Sequence, residues 1–176
     1  ILRGYAPHRA TQTRSVDIIR FADGSEIAAD SIEVSGVRQV GGDEGAWLSG
    51  TMFADTLIGG EGDDHFDSRG GPDLLVGGVG SDTYRIHREW GAAAAHVTIV
   101  ETWREGDFNR LELTGDVGAD ELHLVFDGRD LVLMLGEDGS SVRFAGFDPR
   151  VPGMQPPVDE VALPWQGIVL SFDELV

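Results

Sequence analysis

Large apolar side chains return at every ninth position through the middle of the chain, as Leu48, Leu57, Phe66, Leu75 and Tyr84. Asp stands two places before four of them, as Asp55, Asp64, Asp73 and Asp82, and Ala46 holds that place in the first line. Glycines crowd the positions that lead up to each Asp. Two full Gly-Gly-x-Gly-x-Asp lines begin at Gly59 and Gly77, 18 residues apart. The lines from Gly50 and Ser68 are degenerate, with Thr51, Phe53 and Arg69 in glycine places and Pro72 in a turn. Such a pattern predicts a Gly-rich turn with positive φ angles, then a three-residue strand whose middle side chain points inward. Two turn–strand units make one coil, so lines 18 residues apart stack directly.

Past Tyr84 the nine-residue phase stops and alternation with a period of two takes over. Antiparallel strands are predicted at 96–102, 110–113, 121–126, 131–135 and 141–144. Leu122, Leu124 and Phe126 alternate, as do Leu131, Leu133 and Leu135. Asp127-Gly128 and the stretch Leu135 to Gly139 read as hairpin turns. These strands are expected to cap the open end of the coil, which would otherwise expose an apolar cross-section and unpaired edges. Four prolines between Asp148 and Pro157 predict a stiff loop, and Phe172 to Val176 a short terminal helix. The expected division is 1–40 as N-terminal flanking strands, 41–86 as the coiled repeat and 87–176 as a C-terminal capping region. The segment from Val16 to Phe21 is similar to that from Val158 to Leu163. With a chain that begins at Ile1, this suggests one unit cut from a longer tandem series.

Composition narrows the chemistry. Thirty-one acidic residues face thirteen basic ones, a net charge of -18. Such a chain repels nucleic acid and anionic membrane surfaces, and no apolar run is long enough to insert into a bilayer. There is no cysteine, so disulfides and thiolate metal sites are excluded. Between Gly41 and Asp82 nine acidic residues meet one Arg. Stacked turns would bring the carboxylates of Asp64 and Asp82, with turn carbonyls, to one gap, and those of Asp55 and Asp73 to a second on the opposite edge. An all-oxygen site of that kind suits a hard cation such as Ca²⁺.

The phased lines resemble the nonapeptide repeat of the RTX, or haemolysin-type calcium-binding, family. The resemblance implies an all-β fold: a short parallel β-roll with Ca²⁺ between its turns, capped by flanking antiparallel strands. It implies that Asp64 and Asp82, with carbonyls of Gly59, Glu61, Asp63, Gly78 and Gly80, form a first site. Asp55 and Asp73 would form the second, and Gly60 and Gly62 would face a further, incomplete site toward Gly41 and Asp43. Phe21-Ala22-Asp23-Gly24 is similar to the segment that closes repeat blocks in this family. Family membership also implies a bacterial, secreted protein, exported unfolded by type I secretion machinery as part of a larger toxin, adhesin or exoenzyme with neighbouring domains.

No Gly-x-Ser-x-Gly elbow, His-Glu-x-x-His motif or phosphate loop is present, so an enzyme is not expected. His65 is expected to face solvent, and Trp47, Trp90, Trp103 and Trp165 to pack in the core or cap. Two other readings remain: a carbohydrate-binding module like those accompanying alginate epimerases, and a piece of an RTX lipase or protease. Without cations the crowded carboxylates repel and the glycines lose much entropy on ordering. A calcium switch is therefore expected: loose at cytosolic calcium, folded at the roughly 10⁻⁴–10⁻³ M that extracellular modules require.

Overall fold

A computed structural model of the chain describes residues 2–3, 18–20, 22, 25–28, 36–88 and 94–175. Two units divide at Ser35. In the first, strands β1 (Leu2–Arg3), β2 (Ile18–Arg20) and β3 (Glu26–Ala28) form an antiparallel sheet in that order. Val16, Phe21, Asp23 and Gly24 of the block-end similarity, and Trp90, lie outside the described residues.

The second unit is a two-sheet roll. One sheet receives β4 (Arg38–Val40), β6 (Thr56–Glu61), β8 (Leu74–Val79), β10 (His96–Val100) and β14 (Ser141–Phe144), all parallel. The facing sheet receives β5 (Trp47–Ser49), β7 (His65–Asp67), β9 (Thr83–Arg88), β11 (Arg110–Gly115) and β15 (Glu160–Leu163), also parallel. From β4 to β11 the chain passes from sheet to sheet at every turn. Each sheet ends in antiparallel strands: β13 (Asp130–Met134) and β12 (His123–Asp127) follow β14, and β16 (Ile168–Ser171) follows β15.

Register converts the sequence period into a core. Leu57, Leu75, Ile99 and Phe144 stack in one sheet, and Leu48, Phe66, Tyr84, Leu111 and Val161 in the other. All nine are buried. Burial of each contributes on the order of 1.5–3 kcal/mol. The Phe66 and Tyr84 rings stack with centroids 4.9 Å apart. The first place of the inner ladder is polar: Gln39 lies beside Leu57. Its amide donates to Ser49 O at 2.8 Å and accepts from Ser49 N at 3.2 Å.

Two expectations need correction. Strands β10 and β11 were expected to be antiparallel caps, yet they continue the parallel coil. Their inward residues, Ile99, Leu111 and Leu113, keep the phase of the strands while the connecting turns lengthen. The antiparallel cap begins only with the β12–β13 hairpin, which turns at Gly128 with φ 68°. Arg88, itself buried, fastens this end: its guanidinium meets Glu121 at 2.8 Å, Asp138 at 3.0 Å and Asp116 O at 2.5 Å. The tryptophans are the second correction, since Trp47, Trp103 and Trp165 are 66%, 49% and 88% exposed. Each sits on an outward face or in a loop, where the inner ladders have no place for it. The terminal helix α1 (Phe172–Leu175) forms as expected and buries Phe172 edge-on against Phe144 and Phe147.

Candidate metal centre

The aspartates of the repeat point into the roll. Asp55, Asp64, Asp73 and Asp82 are 2%, 0%, 3% and 0% exposed, a burial that bare carboxylates resist. Part of the cost is offset by a ladder in which each Oδ1 accepts the backbone N–H of the coil before it. On the first edge, Ala46 N donates to Asp64 at 2.7 Å and Asp64 N to Asp82 at 2.8 Å. The ladder then continues beyond the repeats: Asp82 N donates to Asn109 Oδ1 at 2.8 Å, and Asn109 N to Asp159 Oδ2 at 2.7 Å. On the second edge, Val37 N donates to Asp55 at 2.5 Å and Asp55 N to Asp73 at 2.9 Å.

One oxygen per aspartate is thus accounted for. The other oxygens of Asp64, Asp73 and Asp82 are buried with no hydrogen-bond partner among the described residues. An orphaned, buried carboxylate oxygen in a turn is what a bound cation would satisfy. The glycines supply the space. A methyl group on Gly59 would strike Asp64 Oδ2 and come within 2.5 Å of Gly77 O. On the other edge, a methyl on Gly50 would lie 2.6 Å from Asp55 Oδ2 and 2.8 Å from Ser68 O. Each cradle of oxygens therefore lies on the bare side of a glycine, where any side chain would fill it. The turns need glycine for the backbone as well, with φ 141° at Gly60 and 116° at Gly78.

The sequence-derived ligands do not all converge. Asp64 and Asp82 meet in one column, but the carbonyl at the Asp64 cradle belongs to Gly77, not Gly59. Gly59 O faces Gly41 in the coil below, where Ala46 brings no carboxylate. Asp63 directs its side chain along the outside of the turn and accepts from Ser81 N at 2.8 Å. Gly60 lies against Gly42 and Gly62 against Gly45, in the upstream turn. Gly78 packs on Gly60 O and Gly80 on Gly62 O. Glu61 N donates to Gly42 O at 3.1 Å. Asp55 differs from its partner Asp73: Thr51, in a glycine place, donates to it from N at 2.5 Å and from Oγ1 at 3.1 Å. The second edge consequently holds one satisfied carboxylate and one orphan. Among the described residues no three His, Asp or Glu side chains gather at a single point, so a cation there would draw further oxygens from turn carbonyls or water.

Electrostatics follows from burial. Desolvation raises the Asp64 carboxyl, against the pull of the Ala46 N–H, and Asp63 adds to the rise. Burial pushes Asp73 and Asp82 up to about 7, opposed by the N–H each accepts and reinforced by neighbouring carboxylates. Burial thus favours the protonated form of these carboxyls more than water does.

Together the parallel coil, the glycine cradles and the aspartate ladder define a parallel β-roll with buried carboxylates at its turns. Residues 49–84 match the RTX calcium-binding nonapeptide repeat in four copies, so this segment is an RTX repeat block. Comparison with curated proteins found no match for the chain. Among the described residues no helix is long and apolar enough to cross a membrane.

Proposed function

We propose that the chain is a calcium-driven folding and binding module, and not an enzyme. The carrying observation is the set of buried carboxylate oxygens left without partners in Asp64, Asp73 and Asp82. Asp64 Oδ2, with Gly77 O at the bare side of Gly59, would hold one ion, and the orphaned second oxygen of Asp73 would hold another on the opposite edge. The repeat match supports Ca²⁺ as the ion. Between the turns, the ion would neutralise carboxylates whose mutual repulsion otherwise opposes stacking, so binding and folding are one equilibrium. A chain that folds only outside the cell suits export through type I secretion machinery as part of a larger secreted bacterial protein, whose neighbouring domains carry the activity. Amide hydrogen exchange in EDTA and in calcium tests the coupling. Protection at Asp55 and Asp64 N–H should appear with calcium, and equal protection in EDTA would defeat it.

A second reading is favoured by one feature. Trp47 lies exposed, edge-on to His65 at 4.7 Å, beside Arg85 and Arg110 in a groove on the outer sheet face. An aromatic face next to guanidinium groups suits an acidic sugar. Both arginines are already paired, Arg85 with Glu112 at 3.1 Å and Arg110 with Glu160 at 3.0 Å, which weakens that reading. Retardation on an alginate affinity gel, lost in Trp47→Ala, would favour it.

A further inference from the structure

The column of cradles does not stop where the repeat does. Val100 pairs with Val76, so Glu101 falls at the place of Gly77 one coil further on. Gly77 has its own bare side. A methyl there would strike Asp82 Oδ2 and the Tyr84 hydroxyl, and would come within 2.5 Å of Glu101 Oε2. At Gly59 the next coil offers a carbonyl, Gly77 O; at Gly77 it offers a carboxylate. Asp82 is fully buried, and its Oδ2 has no hydrogen-bond partner among the described residues.

We propose that Glu101 and Asp82 together hold an additional divalent cation, Ca²⁺, at the last glycine-rich turn, closing the column beyond the repeat block. The inference rests on the calcium reading above and assigns a ligand from outside the repeats. Two carboxylates brought together without a cation of the protein between them carry a charge of about -2, which a divalent ion balances. Tyr84, buried, donates its hydroxyl to Glu101 Oε2, and Thr102 N donates to Oε1 at 3.1 Å. Tyr84 is thus a positioning residue that aims the carboxylate at the cradle. Asp107 adds negative charge close by and accepts from Gly80 N at 3.2 Å. The chain after Val100 has no glycine-rich turn to supply carbonyls, and a carboxylate side chain takes their part.

Native mass spectrometry of the whole chain at saturating calcium tests the assignment by counting ions. Glu101→Gln keeps the shape and still accepts from Tyr84, and should carry one ion fewer than the parent while its circular dichroism is unchanged. Glu101→Asp, which keeps the charge but shortens the reach, should keep the count and release the last ion at lower calcium chelation. Tyr84→Phe should keep the count and weaken the last ion. An unchanged count and affinity in Glu101→Gln would overturn the inference while leaving the calcium reading intact. Loss of every ion in that variant would also overturn it, making Glu101 a brace for the whole roll. A parent chain that binds no calcium would instead remove the underlying reading.

Discussion

Replacing Asp82 by Asn should change stability in opposite directions with and without calcium. The amide keeps an oxygen for Asp64 N, and the same ladder already uses an amide one coil on, where Asn109 accepts from Asp82 N at 2.8 Å. What Asn removes is the charge. Burial holds the Asp82 carboxyl at about 7 against a usual 3.8, a gap of about three units worth roughly 4 kcal/mol at 1.36 kcal/mol per unit. Screening by water at the turn and sharing with Asp64 bring this to about 2–4 kcal/mol. At pH 8 in EDTA, Asp82→Asn should therefore be more stable than the parent by that order. At saturating calcium it should be less stable, because a charged ligand is gone, and its calcium midpoint should rise about tenfold or more. Urea unfolding followed by circular dichroism reads both arms, with a stabilising osmolyte where the cation-free chain needs one. Equal destabilisation in EDTA and in calcium would refute the reasoning, because Asp82 would then be a structural hydrogen-bond acceptor and nothing more.

Three further outcomes are expected. Carboxyls raised in the fold favour it while protonated, a contribution complete below the unfolded value near 4 and lost as pH rises through about 7 for Asp73, Asp82 and Glu101. With the same osmolyte present, melting temperature in EDTA should thus fall from pH 5 to pH 8, and calcium should abolish the fall. Leu75→Ala, at a fully buried place between Leu57 and Ile99, should cost about 2–5 kcal/mol at saturating calcium, by urea unfolding. Gly78→Ala meets a φ of 116° and a methyl collision with Gly60 O, whereas Gly139→Ala meets a φ of 87° in open space. The first should cost about 2–3 kcal/mol or more and the second about 1 kcal/mol in the same assay.

The nine-residue phase made the inner ladder of Leu48, Leu57, Phe66, Leu75 and Tyr84 legible, because one inward side chain per strand leaves an unambiguous mark. The same phase pointed to the four buried aspartates. It did not reveal that the coil runs on through β10, β11, β14 and β15. There the rungs are separated by 27 and 50 residues, Asp82 to Asn109 and Asn109 to Asp159, so no period survives. A fainter signal does survive. Asn109-x-Leu111 and Asp159-x-Val161 repeat the Asp82-x-Tyr84 triplet after the glycines have gone. Which carbonyl faces which carboxylate was not legible, since that depends on peptide orientation between coils. Nor was the capture of Asp55 by Thr51, which appears in the sequence only as a missing glycine. The exposed tryptophans misled because an outward strand place, for Trp47, and loops, for Trp103 and Trp165, accept large side chains as readily as small ones.

The most direct measurement is far-UV circular dichroism of the chain in EDTA, followed by titration with Ca²⁺ and, separately, with Mg²⁺. Calcium alone should produce a steep gain of β signal, with a midpoint that moves to higher concentration in Asp64→Ala and Asp82→Ala. A spectrum already folded in EDTA and indifferent to calcium would contradict the account, because the β-roll would then stand without ions between its turns.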